Sequence, residues 1–163
     1  MNTTLFESKP PYPPVRCEYP EAWKIVPSSG KGYKDITIIG PRNADDTFSL
    51  ALVVRFTQLA SPGVNLKNIT EDTIARKSKL RNFVLASRSD LEISKHEAES
   101  IDFSYSTLKS LAQPNSEQMK VCEKRIIFID GDNQCEVIYS ATEEEYKKYS
   151  NIAEKIIQSL KFL

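Results

Sequence analysis

The chain has 163 residues, 40% of them hydrophobic and 27% charged, with 22 basic side chains balanced by 22 acidic ones. That length fits one domain burying roughly two-thirds of its unfolded surface. A balanced chain has no overall field favouring nucleic acid or an anionic membrane, and no apolar run approaches the ~20 residues of a spanning helix. Neither nucleic acid nor a membrane span is therefore expected. Residues 1–10 lack the basic and apolar regions of a signal peptide. The expected location is cytoplasmic if Met1 is native and extracytoplasmic if a leader was trimmed.

In chain order, residues 1–14 read as an extended arm. Pro10-Pro11-Tyr12-Pro13-Pro14 favours polyproline conformation, and Pro11-x-x-Pro14-x-Arg16 fits the loose pattern of a Pro-rich ligand. From residue 15 to 163 a single domain is expected. Val15–Tyr19, Trp23–Val26, Ile36–Ile39 and Phe48–Phe56 are β-rich and bounded by Pro, Gly, Asn or Asp. Ile69–Leu85 reads as a helix with a stripe of Ile69, Thr73, Leu80, Phe83 and Val84, interrupted by Arg76. Leu91–Ser94 and Ser100–Ser106 are again strands, the second alternating Ile101, Phe103 and Tyr105.

The last 45 residues read most clearly. Met119–Ile129 and Gln134–Thr142 form a hairpin around the turn signal Asp130-Gly131. In a two-residue register Ile126, Phe128, Cys135, Val137 and Tyr139 share one face, and Arg125 opposes Glu136 on the other. Thr142 followed by Glu143-Glu144-Glu145 predicts a capping box at the start of a helix to Ser159. Tyr146, Tyr149, Ala153, Ile156, Ile157 and Leu160 fall within about 100° of arc, an apolar stripe that needs a sheet to lie on. The order β-rich, helix, β-rich, helix predicts an α+β fold with a mainly antiparallel sheet.

Cys17, Cys122 and Cys135 cannot all pair within one chain. Cys122 and Cys135 lie several residues apart along the hairpin ladder in a two-residue or a four-residue loop register, beyond disulfide reach. All three are read as reduced core thiols, although a bridge from Cys17 to a neighbouring strand stays open.

Other candidate sites have bland readings beside them. His96, in a turn, would need partners that the sequence does not place to serve as a metal ligand or general base, and Cys17 or Cys122 meets it only if the fold happens to bring them together. Gly30-Lys31-Gly32 lacks the first glycine and the following helix of a phosphate loop. Asp130-Gly131-Asp132-Asn133 has Ala141 where a calcium loop needs glutamate. Asp45-Asp46 has no further ligands nearby, and Trp23 is either a core anchor, the favoured reading, or part of a binding surface. Asn2 and Asn68 head glycosylation sequons that matter only in a secreted protein. The basic run Arg76-Lys77-Ser78-Lys79-Leu80-Arg81 spreads around a helix as a solvated face; Arg76, Lys77, Lys79 and Arg81 are nonetheless the candidate residues for a partner site.

Tyr19-Pro20-Glu21-Ala22-Trp23-Lys24 resembles the opening of PsbP-like domains, the family of the extrinsic photosystem II subunit and its prokaryotic relatives. Gly40-Pro41, the strand through Val53-Val54, Asp130-Gly131, Tyr139-Ser140, Tyr146, Tyr149 and Ser159-Leu160-Lys161-Phe162 are similar in order, so the resemblance spans about residues 15 to 163. It implies an α-β-α sandwich and an accessory, binding or assembly role. The family's photosynthetic members carry a basic docking surface and His-containing metal sites; one His and balanced charge here carry over the fold alone. The expectation is a non-catalytic module with a protein partner and no cofactor. The alternative is a small-ligand binder or enzyme with a cleft near His96 or a Cys.

Overall fold

The computed structural model describes residues 1–110 and 112–163. Ten strands and two helices run in the order β1 (Thr3–Glu7), β2 (Val15–Pro20), β3 (Lys24–Gly30), β4 (Tyr33–Arg42), β5 (Ser49–Gln58), α1 (Leu66–Lys77), β6 (Val84–Ile93), β7 (His96–Leu108), β8 (Gln118–Asp130), β9 (Asn133–Thr142), α2 (Glu143–Ser159) and β10 (Lys161–Phe162). Seven strands form the main sheet in the order β3-β4-β5-β9-β8-β7-β6, every neighbour antiparallel. A small sheet, β1-β2-β10, lies beside α2. With α1 over β7 and β8 on the opposite face, the molecule is the expected α-β-α sandwich.

The two faces of the main sheet differ chemically. Toward α2, Ile36, Ile38, Leu52, Val54, Phe56, Ile126, Phe128, Cys135, Val137 and Tyr139 form one apolar core with Ala153, Ile156, Ile157 and Leu160 of the helix. The expected shared face of the hairpin is therefore the core face. Burying the helix stripe contributes about 10 kcal/mol gross, before ordering entropy is subtracted. Phe162 of the small sheet closes this layer, its ring 4.8 Å from Phe128 and 6.2 Å from Phe56. Trp23 belongs to this core and meets Tyr149 edge-on at 6.1 Å. Gly40 makes room for it: a Cβ there would stand 2.8 Å from Leu50 and 3.2 Å from the Trp23 ring.

Several sequence expectations are corrected. The extended N-terminal arm includes a strand that sequence reading missed: β1 pairs with β2 from Thr3↔Pro20 to Glu7↔Arg16. The proline run becomes their connection, held by the Ser8 hydroxyl donating to the Pro13 carbonyl at 2.6 Å. Helix α1 is Leu66–Lys77 rather than 69–85, with Asn65 capping it by accepting from the Asn68 N–H at 2.8 Å. Its buried face is Ile69, Thr70 and Thr73, not an apolar stripe, and Val84 starts β6 instead. Thr142 occupies the N-cap of α2, but its side chain makes no capping hydrogen bond. The β8–β9 turn is Gly131-Asp132, between the paired Asp130 and Asn133. Gly131 takes φ +58° at the first turn position, where glycine is favoured. Cys122 therefore faces Ala141, and Arg125 faces Ile138 rather than Glu136.

Candidate functional site

Side chains alternate along β8, so Glu123, Arg125 and Ile127 point away from the apolar core and toward the layer of α1. Arg125 is divided between two acids. Its Nε donates to Glu123 Oε2 and its Nη1 to Glu136 Oε1, each at 2.9 Å. All three residues are buried. Glu136 reaches Arg125 diagonally, two residues along β9 from Ile138, which stands directly opposite. Flanking pairs extend the charged layer across the sheet. Arg55 makes a two-pronged contact to Asp35 at 2.8 Å, which raises the Arg55 pKa, and Arg88 binds Glu99 at 2.9 Å. Arg55 also lies over the Tyr33 ring. Tyr105 faces the same layer; burial, then the Glu123 charge, pushes its hydroxyl pKa up.

The basic run splits where α1 ends. Arg76 folds back along its helix, donating from Nε to the Asp72 carbonyl and from Nη2 to Thr73 Oγ1. Lys77 is half-buried, and loss of hydration, followed by repulsion from Arg125, pushes its pKa down despite Glu123 and Glu136. It thus turns toward the charged layer. Lys79 and Arg81 are exposed on the turn leading into β6. The Arg81 carbonyl accepts from the Ser106 N–H at 2.8 Å, and Phe83 packs 5.5 Å from Phe103, which pins this turn to the sheet.

Immediately after the turn, Val84 is 58% and Leu85 39% exposed at the start of edge strand β6. A bulge between Leu85 and Ser87 alters the strand's direction there. Sequence reasoning missed this apolar step because it counted Val84 in a helix stripe. The signal available was the pair Val84-Leu85 itself, whose β-branched first member favours a strand start.

The remaining candidates are occupied by structure. His96 follows a tight turn in which Ser94 and Lys95 have φ +47° and +69°. Its Nδ1 lies 3.0 Å from the Ser94 carbonyl, its Nε2 3.3 Å from Asp130, and its ring 5.1 Å from Phe128. Neither ring nitrogen is turned toward a cysteine. The three cysteines are free thiols, with Cys17 and Cys135 in the core. Burial pushes the Cys17 thiol up to about 11 and Cys135 up to about 12, which opposes nucleophilic use. Asp45 is engaged by Lys109, which also binds Glu117. Among the described residues, no three His, Cys, Asp or Glu side chains converge as metal ligands, and no helix is long and apolar enough to cross a membrane.

No family model matches the chain, and no curated protein matches it. Solved structures do. LpqN, involved in cell envelope biogenesis of Mycobacterium tuberculosis, aligns with TM-score 0.64 and 14% identity over 99% of this chain and 91% of its own. A Pseudomonas aeruginosa protein of unknown function aligns with TM-score 0.59 and 14% identity, covering 98% and 96%. The cyanobacterial PsbP of Synechocystis, CyanoP, aligns with TM-score 0.59 and 10% identity, covering 99% and 92%. Identities this low speak for architecture and not for activity. The chain has a PsbP-like fold.

Proposed function

We propose that this chain is a non-catalytic accessory module that binds a protein partner through the junction of α1 and β6. The observation that carries the reading is the apolar step Val84-Leu85, exposed at a sheet edge and following within a few residues on the exposed cations Lys79 and Arg81. Apolar side chains bordered by positive charge suit a partner surface that is apolar with acidic residues at its rim. The rest of the ionisable inventory supports the same reading. Arg55, Arg88, Arg125 and their carboxylate partners are ion-paired across the sheet. Two of the three thiols are buried in the core. The fold's occurrence in LpqN shows the architecture at work in a protein involved in envelope biogenesis.

The test is affinity capture with the tagged chain beside its Lys79→Glu/Arg81→Glu variant. The expected result is one stoichiometric protein retained by the wild type and reduced about tenfold or more by the variant. Both side chains are exposed, so the thermal midpoint should stay within about 2 °C. Absence of a stoichiometric partner, or undiminished capture by the variant, overturns the proposal.

A further inference from the structure

Strand β6 is an open edge of the main sheet and is exposed along almost its whole length. The opposite edge, β3, carries Pro27, which has no N–H to offer a further strand. Beyond its bulge β6 has neither proline nor lysine, the residues that commonly blunt an edge, and its pairing with β7 runs regularly from Ser87 to Ile93. Its unpaired backbone is therefore a template for one more strand.

Charge is divided between the two ends of this strand. The chain enters β6 from Lys79 and Arg81 and leaves it past Asp90 and Glu92, with Glu97 just across the hairpin turn, all five exposed. Lys95 at the turn is the exposed base among these acids. Glu92 stands directly opposite Glu97, so the acidic end repels itself and gains from cations brought alongside. A copy of the chain laid antiparallel along β6 supplies them, because each basic end then lies beside an acidic end.

Side-chain alternation restricts the register. Residues directly opposite in an antiparallel pair share a face, so a two-fold axis through the pair falls on a residue and not between two. An axis at Arg88 would oppose two arginines, one at Asp90 two aspartates, and one at Leu91 each Asp90 to a Glu92. An axis at Ser89 opposes Arg88 to Asp90 of the copy, twice, with no like-charged pair, and sets two small hydroxyls at the centre. Arg88 can take part without releasing its own carboxylate. Its Nε and Nη2 donate to Glu99, while Nη1 makes no hydrogen bond among the described residues and stands 4.0 Å from Glu71.

We propose that the protein partner of the α1–β6 junction is a second copy of this chain, joined antiparallel through β6 about a two-fold axis at Ser89. The two seven-stranded sheets then become one, and Glu92 and Glu97 of each copy supply the acidic rim that the other's junction requires. This rests on the reading of that junction as a partner surface and names its occupant.

Sedimentation velocity of the purified full chain between about 1 and 200 μM at low ionic strength tests this. A concentration-dependent monomer–dimer equilibrium is expected. Lys79→Glu/Arg81→Glu and Glu92→Lys/Glu97→Lys should each weaken it about tenfold or more, since each sets like charges together at both ends. An equimolar mixture of the two variants should restore dimerisation, because every end then meets its opposite charge. Lys24→Glu on edge β3 should leave the equilibrium unchanged. All the altered side chains are exposed, so the variants are expected to fold. A chain monomeric throughout overturns the proposal, as does a dimer indifferent to both variants or a mixture that fails to recover. A monomeric chain that captures a different protein, sensitive to Lys79→Glu/Arg81→Glu, removes the second copy as occupant and leaves the reading of the junction standing.

Discussion

Arg125 shows how single residues hold the face beneath α1. Two carboxylates, Glu123 and Glu136, share its guanidinium, and all three are buried on the central strands β8 and β9. Desolvating such a triad offsets much of its Coulombic gain, so its net contribution to stability is small. Removing one member is a different matter, because it leaves charge buried without a partner. Arg125→Ala should therefore cost about 3–5 kcal/mol in urea unfolding. A loss under about 1 kcal/mol would mean that water or a rearranged Lys77 compensates the acids, contrary to the buried triad described here.

Among the elements, the two helices make a paired prediction, since Asn65 and Thr142 are both residue types favoured at helix N-caps but differ in structure. Asn65 accepts a hydrogen bond at the start of α1, whereas Thr142 accepts none at the start of α2. Asn65→Ala is expected to lower stability by about 1 kcal/mol and Thr142→Ala by less than about 0.5 kcal/mol, both read from denaturant midpoints. Equal losses would contradict the assignment. The same contrast explains what was legible beforehand. Helix α2 could be read because Tyr146, Tyr149, Ala153, Ile156, Ile157 and Leu160 encode its buried face in apolar residues. Helix α1 was legible in its existence but not in its bounds or its buried face, because it buries Thr70 and Thr73 and turns Lys77 toward a charged sheet face, leaving period 3.6 without a clear apolar signal. The shared core face of the β8–β9 hairpin was legible, but its register stayed open between two, of which the structure takes the one that sets Cys122 opposite Ala141. The left-handed φ falls at Gly131 in the first turn position, so the turn begins one residue later than Asp130-Gly131 suggested. Of the candidate surface, the cations were visible in the sequence. Their division at the end of α1, with Lys77 inward and Lys79 and Arg81 outward, depends on where that helix stops.

As a whole, the molecule is a seven-stranded sheet with an apolar layer on one face and an ion-paired layer on the other. The apolar layer, closed by α2 and the small sheet, holds the fold together. The charged layer is covered by α1, whose C-terminal end delivers Lys79 and Arg81 to the exposed start of β6. On this account, function resides at that edge rather than in a catalytic cleft. The most direct test is site-specific photocrosslinking in the native host, with a benzoylphenylalanine at position 85 and a control at position 148 on the exposed side of α2. The account predicts one discrete crosslinked protein from position 85, abolished by Arg81→Glu, and none from position 148. No crosslink from position 85, or the same product from both positions, would contradict it.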